Sequence, residues 1–318
     1  MKRSEKLKKL DYKVPGAKKK RVIIHADIAC EVDDQFALVH HLLTPCEEVL
    51  GIIASHFEWK FRNIEGLKSR RFTSMEKSYA EGKKLLELME IDDVPLLKGA
   101  KDAILDKGNL PESPGADFII QESLKKIEEP LYVVLQGALT DLAIAYLKEP
   151  RIIYNVIAIW IGGAAYPEGG QESNLQEDVY AAQVLFSSEI SIWQIPINCY
   201  AKSYISFSEL VRKVKICGKI GTYLFEKMFA LNDWYGKVAP QSDFPHGEVW
   251  LLGDQSTVSA LLESSTGKDI SIRKAPKIND DMTYGEEVDT KKIIIFNSVD
   301  RRMLFDDFFA KIWLCYKN

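Results

Sequence analysis

The sequence predicts an α/β protein built on an open, mostly parallel, Rossmann-like sheet with helices on both faces. Three observations carry that expectation. Apolar, β-branched runs of strand length alternate with helix-length amphipathic stretches along the chain. The runs at 21–26 and 49–54 flank a helical pattern, which is the arrangement of a parallel β-α-β unit. Polar residues distant in sequence follow the carboxyl ends of several predicted strands, where open α/β sheets bind ligands.

Residues 1–20 hold nine Lys/Arg against two Asp/Glu and read as a basic, flexible arm ahead of a single domain over 21–318. In the strand at 21–26, Val22, Ile23 and Ile24 are consecutive β-branched residues. A helix starts at Asp33, presents Phe36, Leu38, Val39, Leu42 and Leu43 as an apolar face, and stops at Thr44-Pro45. The strand at 49–54 follows. Helices are expected over 76–89 and 116–127, with Pro130 separating the second from a strand at 131–135. The alternation continues with a helix at 139–147, a strand at 156–161 closed by Gly162-Gly163, a helix at 178–187 and a strand at 190–197. Residues 209–231 read as helical in pieces, 254–262 as a helix, 292–297 as a strand and 302–313 as a final helix. No repeat, linker or low-complexity tract interrupts the pattern.

Composition narrows the class. Of 318 residues, 46% are hydrophobic and 28% charged, ordinary values for a well-cored globular chain. The net charge of -4 leaves the body acidic once the basic arm is set aside, and the arm has little aromatic interleaving, so no nucleic-acid partner is expected. No apolar run reaches the roughly 18 residues of a membrane span, and the basic start is not followed by an apolar signal segment. Cys30, Cys46, Cys199, Cys217 and Cys315 form neither a CxxC pair nor a zinc spacing, which fits reduced thiols in a cytoplasmic protein.

The chemistry collects after the strands. Asp27, Glu31, Asp33 and Asp34 fall within eight residues after the first strand. Such a cluster is stable near neutral pH when solvated, protonated or neutralised by a cation. Oxygen donors without His or Cys suit Ca²⁺ or Mg²⁺ rather than zinc. Asp33 and Asp34 also suit a first helical turn without any metal. The segment lacks the EF-hand D-x-D-x-D-G run, and the chain has no P-loop, GxGxxG or GxSxG. Gln136-Gly137 follows the strand at 131–135, and Gly162-Gly163 leads on to Glu172 and Asn174.

These residues resemble the inosine-uridine preferring nucleoside hydrolase family. His25-Ala-Asp-Ile-Ala-Cys-Glu-Val-Asp-Asp-Gln-Phe-Ala-Leu38 is similar to the family's opening acidic turn. Gln136-Gly-Ala-Leu-Thr-Asp-Leu-Ala143, then Ile161-Gly-Gly-Ala164 with Glu172 and Asn174, then Asp178-Val-Tyr-Ala-Ala182, and finally Trp250-Leu-Leu-Gly-Asp254 match further segments in family order. The resemblance spans roughly residues 20–315. It implies calcium-dependent hydrolysis of the N-glycosidic bond of ribonucleosides to ribose and free base, a role in purine or pyrimidine salvage, and a homodimer or homotetramer. It also implies side-chain ligation of the ion by Asp27, Asp34 and Asp254 and main-chain ligation by Gln136. Asp27 would act as general base, and Asp33, Glu172 and Asn174 would hold the ribose. Hydrolysis of another glycoside by the same metal and sugar shell, or sugar binding without catalysis, are the alternatives.

Three departures from the family pattern matter. The acidic turn is longer here, and the extra length contains Glu31. Several members carry a His just before the last aspartate, where it can protonate the leaving base, and here that position is Gly253. His56, His246 and Tyr166 are the candidate replacements. Glu58 stands where many members have a sugar-contacting Asn.

Overall fold

Alternation along the first strand sorts its side chains between two cores. In β1 (Lys20–Ala26), Val22, Ile24 and Ala26 join one hydrophobic cluster and Ile23 the other. The computed structural model describes residues 1–57, 73–238, 246–262 and 267–317. Among these, eight strands form one sheet in the order β3-β2-β1-β4-β5-β6-β10-β9. The others are β2 (Glu47–Ala54), β3 (Leu96–Lys98), β4 (Leu131–Gln136), β5 (Val156–Ile161), β6 (Ser191–Ile195), β9 (Asp269–Ile278) and β10 (Tyr284–Ser298). Pairing is parallel from β3 through β10, and only the β9–β10 pair is antiparallel. β1 lies between β2 and β4, with Val22 opposite Val49 and Ala26 opposite Gln136.

Helices cover both faces. One core packs α2 (Asp33–Leu42), α3 (Ser74–Met89), α10 (Gly218–Val238), α11 (Gln255–Leu262) and α12 (Arg301–Tyr316) on the sheet. The other packs α4 (Pro114–Ser123), α5 (Thr140–Lys148) and α7 (Val179–Ser187). The short α6 (Ser173–Glu177), α8 (Ile197–Tyr200) and α9 (Phe207–Leu210), with the small pair β7 (Tyr204–Ser206) and β8 (Val249–Leu251), fill the connections. α4 starts earlier than its apolar pattern suggests, because Ser113 caps it by accepting from Ala116 N at 2.8 Å ahead of Pro114. β9 has no counterpart in the sequence expectations. It is an edge strand with exposed Lys274 and Lys277, so no apolar run marks it.

The basic arm is corrected by the structure. α1 (Arg3–Leu7) docks against the end of α2, where the Arg3 guanidinium donates to the carbonyls of Leu42, Thr44 and Glu47 at 2.8 Å and of His41 at 3.1 Å. Helix C-terminal carbonyls lack intrahelical donors, and a buried cation satisfies them. Lys6 is buried too, 3.1 Å from Glu90 and over the Tyr316 ring. A charge count treats such residues as solvated, which explains the mistaken expectation. The five cysteines are free, and no helix among the described residues is long and apolar enough to cross a membrane.

Candidate active site

The chain winds outward from β1 to β2 and β3, then places β4 on the other side of β1. The carboxyl ends of β1 and β4 therefore diverge at a crevice, where open α/β sheets take ligands. Asp27 follows β1, and Gln136 ends β4. Gly137 comes next at φ 149°, and a Cβ there would sit 3.2 Å from Asp27 Cγ. Glycine thus lets β4 end against the Asp27 side chain.

Two helix starts bring the remaining carboxylates. α2 begins with Asp33-Asp34, and Asp254 immediately precedes α11. One oxygen each from Asp33, Asp34 and Asp254 lie within 4.8 Å of one another. The Asp254 amide donates to Asp33 Oδ2 at 3.4 Å. Burial, then the charges of Asp254, Asp27 and Asp33, push the Asp34 carboxyl well above the usual carboxylate range. Its Oδ1 is buried without a hydrogen-bond partner. An all-oxygen donor set, excess negative charge and an unsatisfied buried carboxylate oxygen together fit a hard divalent cation. The Gln136 carbonyl accepts the Asp27 amide at 3.1 Å, which leaves it a second lone pair.

These carboxylates line a cavity of about 510 Å³ that also takes in Glu31 and Asn174. The rest of its lining includes Ile197, Tyr200, Tyr204, His246 and Leu251, an aromatic and apolar surface. Asn174 is oriented by donating Nδ2 to the Ile161 carbonyl at 2.9 Å. Glu172, expected to hold the ribose, is engaged by its own loop and by Tyr200. Its Oε2 accepts from Gly163 N at 2.7 Å and Leu175 N at 3.0 Å, and its Oε1 from Asn174 N at 3.2 Å, Ser173 Oγ at 3.3 Å and Tyr200 Oη at 2.7 Å. That carboxylate is the N-cap of α6 and a clamp on the loop, with its lone pairs in use.

The candidate proton donors separate. His246 reaches the cavity. The His246 amide donates to Asn232 Oδ1 at 2.8 Å, and Asn232 Nδ2 donates to the His246 carbonyl at 3.0 Å, so α10 holds that backbone from both sides. His56 is fully buried, 2.8 Å from Thr140 Oγ1, in a polar network with Asp178, and burial pushes its pKa down. Tyr166 donates its hydroxyl to Gln194 Oε1 at 2.7 Å and packs on Tyr284. Neither His56 nor Tyr166 is among the residues lining the cavity. Glu58 lies outside the described residues. At Gly253 an added Cβ would come 3.0 Å from Tyr200 Cδ2 and 3.4 Å from Asp33 Oδ2, so a side chain there requires Tyr200 to move.

Tyr200 and Tyr204 were not among the sequence candidates. They follow β6, and the carboxyl end of that strand, Pro196 to Tyr200, carries the same positional signal as the ends of β1, β4 and β5.

A sequence profile described as inosine-uridine preferring nucleoside hydrolase matches residues 22–306. An uncharacterised Schizosaccharomyces pombe protein is 26% identical over 166 residues, which is 48% of this chain and 53% of that one, so the chain spans about half that relative's length. Uridine nucleosidase 1 of Arabidopsis thaliana is 23% identical over 250 residues, 69% of each chain. A purine-preferring ribonucleoside hydrolase from Gardnerella vaginalis shares the fold, with a TM-score of 0.71 at 19% identity over 94% of this chain and 99% of that one.

Proposed function

The chain belongs to the inosine-uridine preferring nucleoside hydrolase family and is by that membership an N-glycosyl hydrolase, and we propose that it cleaves ribonucleosides to ribose and free base with Ca²⁺ held at the end of β1. The observation that carries this reading is the approach of Asp33, Asp34 and Asp254 beside Asp27, with Asp34 Oδ1 buried and unsatisfied. Asp27, Asp34 and Asp254 hold the ion by side chain and Gln136 by its carbonyl, and Mg²⁺ is the alternative ion. When bound, the cation supplies positive charge that makes an adjacent water more acidic.

The protein's own groups account for the other steps. Asp27 takes the proton of the attacking water. Asp33 and Asn174 orient the ribose hydroxyls, and the clustered carboxylates favour the positive charge that develops on the sugar as the C–N bond breaks. Glu172 serves by holding Asn174 and Tyr200 in place. The bonding pair leaves with the base, which needs a proton. His246 supplies it, since Gly253 carries no side chain and the Tyr200 hydroxyl is committed to Glu172.

A panel of ribonucleosides and 2′-deoxyribonucleosides, assayed for reducing sugar with calcium-replete protein, tests the proposal. Release from ribonucleosides but not from deoxynucleosides is expected, because a site built for the hydroxyl leaves polar groups unpaired without it. No release from any nucleoside overturns it. The crowding at Gly253 favours a second reading, a glycoside with a different leaving group, and sugar release only from non-nucleoside ribosides would establish that one.

A further inference from the structure

We infer that Thr257 is a positioning residue for the cation site, an inference that rests on Asp34, Asp254 and Gln136 holding the ion. Those residues come from three separate elements: α2, the start of α11, and β4. All three elements meet at one fully buried hydroxyl. Thr257 Oγ1 donates to the Asp254 carbonyl at 2.7 Å and accepts from Gln136 Nε2 at 2.8 Å. It also lies 3.0 Å from Nε2 of His41, in the last turn of the helix that Asp33 and Asp34 begin.

The hydroxyl has one proton and two lone pairs. Its proton goes to Asp254 and one lone pair to Gln136, so His41 Nε2 must donate to the other. Every position around the oxygen is then filled, and each bond has a fixed direction. His41 is anchored in turn by Glu47 Oε2, 2.7 Å from its Nδ1, and both side chains are fully buried. The Gln136 amide also reaches the Asp254 carbonyl at 3.4 Å. Thr257 thus fixes the peptide that carries Asp254, the side chain of Gln136 and the rotation of α2 from a single point. Thr257 is not itself among the residues lining the cavity, so its effect passes through the residues it holds.

Calorimetric titration of chelator-treated protein with Ca²⁺ tests this. Thr257→Val keeps the shape and removes the hydroxyl, and it is expected to weaken calcium binding about 10–100-fold. Thr257→Ser keeps the hydroxyl and is expected to bind like the wild type. A merely structural role would lower the melting temperature of the chelated protein and leave affinity unchanged, and that result overturns the inference. If Thr257→Val does not fold, His41→Gln reads the same quantity, and wild-type affinity in that variant is equally fatal. Absence of calcium binding by the wild type would instead bring down the cation reading itself, and Thr257's role with it.

Discussion

The Tyr200 hydroxyl donates to Glu172 Oε1 at 2.7 Å, joining the helix after β6 to the loop after β5. The bond gives Tyr200 two jobs, since its ring also lines the cavity. Tyr200→Phe keeps the ring and removes the bond. A buried hydrogen bond to a charged group contributes about 1.5–3 kcal/mol, and the four other donors to Glu172 should soften the loss to about 1 kcal/mol. Denaturant melts should show that loss, and KM should rise more than kcat falls as Asn174 loosens. Unchanged stability and KM would show that the bond holds nothing in place.

Removing the cation should expose the cost of burying Asp34. Burial and three neighbouring acids raise its pKa in the folded protein. Stability from its protonated form is fully present below the unfolded Asp value of about 3.9 and is lost as pH rises through the folded value. The chelated protein should therefore weaken from acid to neutral pH, and Ca²⁺ should offset that weakening. Thermal melts with chelator and with calcium should differ more at about pH 8 than at about pH 5. An increment independent of pH would mean that the cation does not neutralise this cluster.

Much of this was legible before any coordinates. Consecutive β-branched runs mark β1, β2, β4 and β5, and the acids after β1 point to the sheet edge where the cavity lies. What periodicity could not reveal is how distant groups are used. Glu172 looks like a ligand-binding carboxylate in sequence, yet its oxygens are consumed by Gly163, Asn174, Leu175 and Tyr200. Thr257 and His41 look like ordinary helix residues, because a hydroxyl's partners 121 and 216 residues away leave no local mark. Arg3 is the opposite case: its charge is visible in the sequence, but the carbonyls that bury it are not.

Lys291 gives a prediction independent of the active site. Its ammonium is buried on β10 and donates to the Leu185 carbonyl, and burial pushes its pKa down to about 7 against the opposing charge of Glu189. Unfolded lysine titrates near 10.4. Between those values the unfolded chain binds a proton that the folded chain does not, so stability is full above about 10.4 and falls as pH drops towards 7. Lys291→Met removes that penalty and one hydrogen bond. It should stabilise the protein on the order of 2–4 kcal/mol near pH 7 and by far less near pH 10. Guanidinium melts at the two values decide it; an equal effect at both would mean the ammonium is not desolvated in this way.

His246 carries the sharpest prediction about the reaction. Its backbone is gripped by Asn232, and its ring stands edge-on to Trp250 at 5.0 Å and to Tyr204 at 6.1 Å. Those contacts place an imidazole in a cavity whose other lining acids are carboxyls and tyrosines. Near neutral pH an imidazole is the group best matched to giving up a proton in the transition state. His246→Gln should lower kcat for ribonucleosides by about 10²–10⁴-fold, the usual worth of a positioned acid. A 4-nitrophenyl riboside departs as a stable phenolate and needs no proton, so its hydrolysis should suffer much less. Asn232→Ala, which frees the backbone but keeps the imidazole, should fall between the two on nucleosides. Equal losses on nucleosides and on the nitrophenyl riboside would show that His246 shapes the cavity without donating a proton. The search for the acid would then pass to Glu31, the remaining cavity carboxyl outside the cation cluster.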